Sequence, residues 1–354
     1  MNKTSTHSRP ASQENYTSLN GLRAYAIIGI VLMHVLTNMP DKPDWGFATG
    51  QLIPWFTNFT LLFMMVSAFS MCCGYYERIR TGEITPTAFY AKRYRRIWPF
   101  FALMVAISFG MEPGWDTFCQ SFANLTLCFN LLPNPEIQIV GVGWFLGTIF
   151  TFYMLFPFFT FLLDHKKKGW IVLLLSLFFC YIAIHYFSSP EYVVKPIGRT
   201  NILYSAPFFL AGGLIYLYRR TFLQHPAAYS LTAGTICLVL TILKFRFPSD
   251  TLFILPDLAI FATLLIYAIP SKDAVLNNRI AKYISSIGLE IYLCHMMFYR
   301  AVEMLPLHRF IENPGTRYIA YSILTLAGAI AFAHGIKFHL FPYIGKRIGH
   351  THTK

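Results

Sequence analysis

The sequence predicts an all-α polytopic membrane protein with about ten transmembrane helices and both termini in the cytosol. Of its 354 residues, 55% are hydrophobic and only 13% are charged, whereas about a quarter of the residues in a soluble domain are charged. Apolar runs of helix length recur along nearly the whole chain. The cations lie between these runs and form no aromatic-interleaved patch, so the net charge of +13 does not indicate a nucleic-acid partner.

Windows of about 20 residues give ten predicted spans and an orientation. The connections on one side hold roughly three times as many Lys and Arg residues as those on the other, and the positive-inside rule makes the richer side cytosolic. Residues 112–142 contain no Lys or Arg, and their semi-apolar piece FCQSFANLTLCFNLLP is expected to be interfacial or re-entrant on the outer side. The predicted spans are 22–39, 52–74, 95–111, 143–163, 170–187, 201–218, 228–243, 251–269, 284–304 and 317–337.

One integral membrane domain, residues 21–340, is predicted between a cytosolic N-terminal tail, 1–20, and a basic cytosolic tail, 341–354. The N-terminal tail is polar and has no pattern of a signal-peptide cleavage site, so we expect it to be retained. Because only a short tail follows the tenth span, any chemistry is expected within the membrane domain. No spacing typical of metal ligands occurs, so no metal site is predicted.

The first span carries an Arg near its start and a His well inside it. Arg23 and His34 are eleven residues apart, which at about 100° per residue returns to within about 20° of the same helix face, roughly 16 Å further along the axis. Alone, Arg23 could be a snorkelling anchor and His34 a hydrogen-bonded packing residue. Their shared face favours a function, because an imidazole can act as a general base near neutral pH.

A second pair of cations begins the third span. Arg93 and Arg96 are helical neighbours at i and i+3, and two guanidinium groups on one face match the oxygens of a phosphate-bearing ligand. The alternative is that these cations only hold their loop in the cytosol or contact anionic lipid.

Several motifs resemble those of the membrane acyltransferase-3 family, whose members transfer acyl groups from acyl-CoA to sugars. LNGLRAYAIIGIVLMHV at 19–35 resembles its signature first helix, with Asn20 in place of the usual Asp. VSAF at 66–69 is similar to its second-helix L-S-G-F, with Ala68 in place of the Gly, and FYAKRYRRIWPFF at 89–101 resembles its R-x-x-R-I-x-P segment.

Two later segments extend the resemblance. GWFLGTIFTFYMLFPFF at 143–159 is similar to the family's W-x-L…F-Y-L-x-x-P helix, but Ile149 and Phe150 replace the acidic pair that many members carry. No carboxylate role is therefore carried over to this helix. ISSIGLEIYLCHM at 284–296 resembles the late S-Y-x-x-Y-L-x-H motif.

The resemblance implies a multi-pass enzyme of the plasma (inner) membrane. It implies O-acetylation of a carbohydrate or lipid-linked sugar, with cytosolic acyl-CoA, above all acetyl-CoA, as co-substrate and no bound cofactor. Arg93 and Arg96 would bind the phosphates, Arg23 would orient the donor or stabilise its charge, and His34 would deprotonate the acceptor hydroxyl or, in a variant, carry the acyl group. Four further motif residues are expected either to contact the acceptor or to be structural: Trp144, Tyr292, His295 and Glu290.

Two other classes of function compete with this interpretation. A secondary transporter or flippase would also have about ten spans and buried ionisable residues, but it predicts inverted repeats with broken helices near the midplane, and the sequence has no persuasive inverted repeat. A membrane scaffold or sensor would leave the shared face of Arg23 and His34 unexplained.

Overall fold

The computed structural model describes residues 16–132, 139–187, 198–248 and 254–344. Helices make up 81% of these residues, and no strand occurs among them. Seven helices are long and apolar enough to cross a membrane. The all-helical, multi-pass class is therefore confirmed, whereas the number of ten spans and the cytosolic position of both termini stay predictions. Most of the two predicted tails lies outside the described residues.

Twelve helices longer than one turn form the described part of the molecule. Helix α2 contains π-helical turns at Ala48–Leu52 and Cys72–Tyr76, and a further π-helical turn, Ile336–Leu340, follows the last helix. Short 3-10 turns occur at Phe129–Leu131 and Leu307–Arg309. The helices are α1 Ser18–Asn38, α2 Ala48–Arg80, α3 Pro86–Met111, α4 Trp115–Leu125, α5 Trp144–Leu162, α6 Lys166–His185, α7 Ile202–Gln224, α8 Pro226–Arg246, α9 Leu255–Ala268, α10 Arg279–Ser286, α11 Gly288–Glu303 and α12 Pro314–Gly335.

The helix starts follow local sequence signals. Thr85, Asn201, Asn278 and Asn313 each precede a helix, and the side chain of each accepts a hydrogen bond from a backbone N–H of the first turn. Such caps satisfy donors that the helix itself leaves free.

Each predicted span overlaps a helix, with one difference in continuity. The predicted span 284–304 is broken at Ile287, whose φ of −108° and ψ of 16° end α10 before α11 begins at Gly288. At this break α11 approaches α1 closely, because a Cβ on Gly288 would lie 2.3 Å from Cδ1 of Ile27. The apolar run alone did not reveal this break, since it continues through Ile287 without a Pro.

Helix α1 lies at the centre of the bundle. It packs against α2, α10, α11 and α12, and Ile30, Val31 and Val35 on it are fully buried. A helix that is apolar nearly all round needs such enclosure by other helices or by lipid. Its central position puts both Arg23 and His34 inside the protein.

Close packing of α2 against α7 depends on Gly212. A Cβ at this position would lie 2.1 Å from the carbonyl oxygen of Met65, so only glycine permits the observed approach. The neighbouring Gly213 faces Phe159 and Leu163 in the same way. Small residues at membrane helix interfaces commonly allow such close packing.

Helices α6 and α8 form the periphery. Of the most apolar 18-residue stretch of each helix, only 22% is buried inside the protein in α6 and only 6% in α8. Their exposed side chains are mainly Leu, Ile, Val and Phe. An apolar outer surface of this kind is what lipid tails would cover.

Helix α4 turns back along α3. The carbonyl oxygen of Leu125 accepts a hydrogen bond from Nε1 of Trp98 at 3.0 Å, and that of Thr126 accepts one from the hydroxyl of Tyr94 at 3.3 Å. Trp98 lies thirteen residues before the end of α3, so the chain has returned by roughly 20 Å at about 1.5 Å per residue. This return favours the re-entrant alternative over a purely interfacial one.

Candidate functional site

A cavity of about 590 Å³ opens between α1, α2, α3, α5, α10 and α11. Its volume lies within the range of about 300–1,000 Å³ that is typical of small-molecule sites. One part of the lining is cationic, with the side chains of Arg23, Arg93, Arg96 and Lys282. Another part is apolar and aromatic, and consists of Ile27, Phe63, Phe145, Leu146, Ile149 and Leu289. The cavity therefore suits an amphipathic anion.

Arg23 is held at the cationic part by α2. Its Nη2 donates a hydrogen bond of 2.5 Å to Oγ of Ser70, which in turn donates to the carbonyl oxygen of Val66 at 2.7 Å. Ser70 thus has its own proton committed to the backbone, and its lone pair is free to accept from the guanidinium. This arrangement fixes one nitrogen of Arg23 and leaves its remaining N–H donors for a ligand.

Arg93 is positioned by an aromatic ring of the same helix α2. Its Nη2 donates to the hydroxyl of Tyr75 at 2.6 Å, and its guanidinium carbon lies 4.8 Å from the centre of that ring. Its Nε is buried and has no hydrogen-bond partner in the described part of the chain. A buried donor without a partner is costly, so this atom favours an acceptor supplied from outside the chain.

No carboxylate of the described residues lies within 4.0 Å of the guanidinium groups of Arg23, Arg93 and Arg96. Arg96 and Arg23 are also close enough to repel each other electrostatically. Like charges gathered without counter-charge are unfavourable unless an anion binds between them. Phosphate groups are among the anions that arginine forks bind bidentately.

His34 does not line this cavity but pairs with His295 of α11. Nδ1 of His34 lies 2.8 Å from Nε2 of His295, and Nδ1 of His295 lies 2.6 Å from the carbonyl oxygen of Tyr292. His295 is fully buried, whereas His34 is partly exposed. The structure therefore brings together two histidines that are 261 residues apart in sequence.

Tyr292 connects the cavity with the histidine pair. Its ring lines the cavity and packs against Phe145 at 5.4 Å between ring centres, its hydroxyl donates to the carbonyl oxygen of Val142 at 3.0 Å, and its own carbonyl holds His295. A ligand that reaches from the cationic part of the cavity to His34 would pass this side chain.

Arg199 is a cation that sequence reasoning missed as a site residue. Its Nη1 donates to the carbonyl oxygen of Thr57 at 2.5 Å and also to the hydroxyl of Thr57, and its guanidinium lies 5.8 Å from the ring centre of Trp144. Its charge acts on both His34 and Tyr292. In the sequence, Arg199 counts only as one of the few cations on the predicted outer side, and its partners come from other parts of the chain.

Glu290 lies in a buried ion pair and does not line the cavity. Its Oε1 is 2.7 Å from Nζ of Lys337, which also donates to the carbonyl oxygen of Ser286, while Oε2 of Glu290 is buried without a partner in the described residues. This pair joins α11 to the π-helical turn Ile336–Leu340 beyond α12. Burying one charge without the other would be strongly unfavourable, so the contact is suited to a structural role.

The structure thus gathers the sequence-predicted residues into two neighbouring groups. Arg23, Arg93 and Arg96 share the cavity, and His34, His295 and the backbone of Tyr292 form a hydrogen-bonded chain beside it. Trp144 lies near Arg199, and Glu290 lies apart. The roles predicted for these residues stay predictions. The cavity also contains Ser67 and Tyr153, which lie in quoted motifs but were given no role, and three residues outside the motifs: Ser70, Tyr75 and Lys282.

Comparison with known proteins agrees with the motifs. The model of a family described as an acyltransferase domain, acyltransferase 3, matches residues 16–334, which is nearly the whole chain. No curated protein and no solved structure matches significantly. The matched region contains the cavity, the histidine pair and every helix from α1 to α11. The chain therefore belongs to the membrane acyltransferase-3 family.

Proposed function

We propose that this protein is an integral membrane O-acetyltransferase of the plasma membrane that moves an acetyl group from cytosolic acetyl-CoA to a hydroxyl of a carbohydrate or lipid-linked sugar. The observation that carries this proposal is a cavity lined by three arginines that have no carboxylate partner among the described residues, next to a hydrogen-bonded pair that contains the partly exposed His34. Tyr292, which lines the cavity and whose carbonyl oxygen accepts from His295, would connect phosphate recognition with the base.

The two parts of the cavity suit the two ends of such a donor. The phosphates of acetyl-CoA would contact Arg23, Arg93 and Arg96, where charge-assisted hydrogen bonds are strong. The arm that carries the thioester would lie along Phe63, Phe145 and the other apolar side chains toward Tyr292. Because His34 is partly exposed beyond Tyr292, the acceptor could approach His34 without passing through the cationic part.

The reaction balances without any further reactant. The acceptor hydroxyl gives its proton to His34 while its oxygen attacks the thioester carbonyl carbon, which forms the ester C–O bond. The tetrahedral intermediate collapses with cleavage of the C–S bond, and the leaving sulfur takes the proton from His34 as free CoA. A general base placed in this way contributes about 10²- to 10⁴-fold in rate.

The test uses acetyl-CoA labelled in its acetyl group and membranes of cells that express the protein. We expect label in the carbohydrate fraction that mild alkali releases as acetate, because O-acetyl esters are alkali-labile. His34→Ala should lower this incorporation at least about 100-fold. His334→Ala is the matched control, since His334 is also a partly buried, hydrogen-bonded histidine, with Tyr283 at 3.0 Å, but it lies outside both the cavity and the histidine pair.

Two outcomes would contradict the proposal. If wild-type membranes incorporate no more alkali-labile label than membranes without the protein, acetyl transfer is wrong and a transporter becomes the better interpretation. If His34→Ala incorporates label at the wild-type rate, the role of His34 as base is wrong.

A further inference from the structure

The chain of hydrogen bonds from His34 to the backbone of α11 has a direction. The carbonyl oxygen of Tyr292 can only accept, so Nδ1 of His295, 2.6 Å away, must carry its proton. In a neutral imidazole the other nitrogen is then an acceptor, which makes Nε2 of His295 the acceptor of the 2.8 Å contact with His34. Nδ1 of His34 must therefore donate, and Nε2 of His34 has a free lone pair.

The neutral form of both rings agrees with their surroundings. No carboxylate lies within 4.0 Å of either ring in the described ranges. The nearby charge that acts on His34 is the cation Arg199. A permanent positive charge on either ring would lack a counter-charge.

We propose that His295 is a positioning residue that holds His34 as the tautomer protonated on Nδ1 and so directs the lone pair of Nε2 toward the acceptor hydroxyl. This inference rests on the proposed function and adds to it the residue on which the direction of the base depends. A carboxylate orients the histidine of a Ser-His-Asp triad through the same nitrogen. Here a buried imidazole, anchored on a backbone carbonyl, takes that place.

The same chain supports His34 after it has taken the proton. The imidazolium keeps donating from Nδ1 to Nε2 of His295, and this bond strengthens because its donor is now charged. No proton has to leave the pair, since His295 stays protonated on Nδ1 toward the carbonyl of Tyr292. Because His295 is fully buried, water cannot replace its ring as the acceptor.

Two amide variants of His295 separate positioning from packing. In His295→Gln the side-chain amide reaches the position of Nε2 and can accept from His34. In His295→Asn the shorter amide reaches only the position of Nδ1, so it can contact the carbonyl of Tyr292 but not His34. Both replacement side chains are polar amides smaller than histidine, so the two variants differ from each other mainly in side-chain length.

The measurement is release of free CoA coupled to incorporation of labelled acetyl groups, at varied acetyl-CoA and with the native membrane acceptor. We expect His295→Gln to keep kcat within about fivefold and His295→Asn to lose about 100-fold in kcat, with KM for acetyl-CoA unchanged in both. Equal losses in the two variants, a wild-type rate for His295→Asn, or a loss confined to KM would each overturn the inference.

His34→Ala in the same assay keeps the two proposals apart. If His34→Ala is inactive while His295→Asn has the wild-type rate, only the positioning role fails; if His34→Ala is active, the proposed function of His34 fails.

A measurement on the wild-type protein tests the inference without depending on whether the His295 variants fold. In protein labelled with ¹⁵N-histidine, the resonances that His34→Ala removes belong to His34. The inference requires a protonated Nδ1 and an unprotonated Nε2, and the opposite tautomer overturns it.

Discussion

The cationic cavity and the histidine pair are neighbours, but their polar groups differ in how far the protein itself satisfies them. In the cavity, Arg23 and Arg93 each have a fixed partner, Ser70 or Tyr75, yet no carboxylate neutralises them in the described residues. In the pair, both nitrogens of His295 are hydrogen-bonded, whereas Nε2 of His34 has no hydrogen-bond partner among the described residues.

This difference separates binding from chemistry. Charges that are held in place but not neutralised keep most of their interaction energy for an anionic ligand, because no internal ion pair has to be broken first. A base instead needs one lone pair in a defined direction. Substitutions in the cavity are therefore expected to change KM for acetyl-CoA, whereas substitutions in the pair are expected to change kcat.

The largest effect on binding is expected from the double variant Arg93→Ala with Arg96→Ala. Hydrogen bonds to charged groups contribute about 1.5–3 kcal/mol each, so the loss of two guanidinium groups should weaken acetyl-CoA binding by at least about 100-fold. Titration calorimetry with acetyl-CoA and the purified protein in detergent measures the Kd.

Arg95→Ala is the matched control for this variant. Arg95 is an exposed cation of the same helix and does not line the cavity, so the Kd should change less than about threefold. Equal effects of Arg95→Ala and the double variant would mean that general positive charge, and not the cavity, binds the donor.

A smaller effect is expected when the partner of Arg23 is removed. Ser70→Ala deletes the oxygen that accepts from Nη2 of Arg23, and the freed guanidinium loses one of the contacts that fix its direction. We expect KM for acetyl-CoA to rise about 3- to 10-fold, which corresponds to about 0.5–1.5 kcal/mol for one hydrogen bond, with kcat unchanged.

Ser121→Ala controls for the loss of a helical serine. Ser121 bonds to the carbonyl of Thr117 at 2.6 Å, as Ser70 bonds to that of Val66, but Ser121 does not line the cavity. A fall in kcat for Ser70→Ala would contradict the separation of binding from chemistry, because it would mean that Arg23 also contributes to the reaction step.

The helices were predictable because their signals are local. Apolar runs, the prolines and the capping residues before α3 and α12 lie within a few residues of the helix ends they determine. The break at Ile287 was not predictable in this way, since it occurs where α11 approaches Ile27 of α1. Such an approach depends on how the helices assemble.

The same distinction between local signals and helix assembly applies to the candidate site. The spacing of Arg23 and His34 on α1 and of Arg93 and Arg96 on α3 marked four residues in advance, because helical periodicity is visible in the sequence. The pairing of His34 with His295 was not predictable from spacing. The family resemblance indicated His295, but only the contact between α1 and α11 indicates what it bonds. Arg199 was missed because its partners, Thr57 and Trp144, come from distant helices.

Arg80 of α2 contrasts with the arginines of the cavity, because a carboxylate of the chain itself neutralises it. Its Nη2 lies 2.6 Å from Oδ1 of Asp164, and Nζ of Lys168 lies 3.0 Å from Oδ2 of the same residue. The hydrogen bond from Arg80 is the largest cause, and that from Lys168 the next, of a pKa of Asp164 lowered to about 2. Asp164 lies in the connection between α5 and α6, outside both helices.

The smallest effect is therefore expected for Asp164→Asn, and it should depend on pH. Because the pKa of Asp164 is lower in the folded protein than the usual value of about 4, its pairing stabilises the protein fully above about pH 4, and this contribution is lost as the pH falls toward 2. Exposed ion pairs contribute little, so the substitution should lower Tm by at most about 2 °C at pH 6, and KM for acetyl-CoA should not change. In detergent, the Tm difference from wild type should shrink between pH 4 and pH 2, and Asp116→Asn, at an exposed aspartate of α4, controls for the loss of a surface carboxylate. A Tm difference that stays constant down to pH 2 would mean that the charge of Asp164 is not what stabilises the protein here. A raised KM would mean that Arg80 and Asp164 act on the cavity as well, and the contrast between neutralised and free arginines would then no longer separate structure from binding.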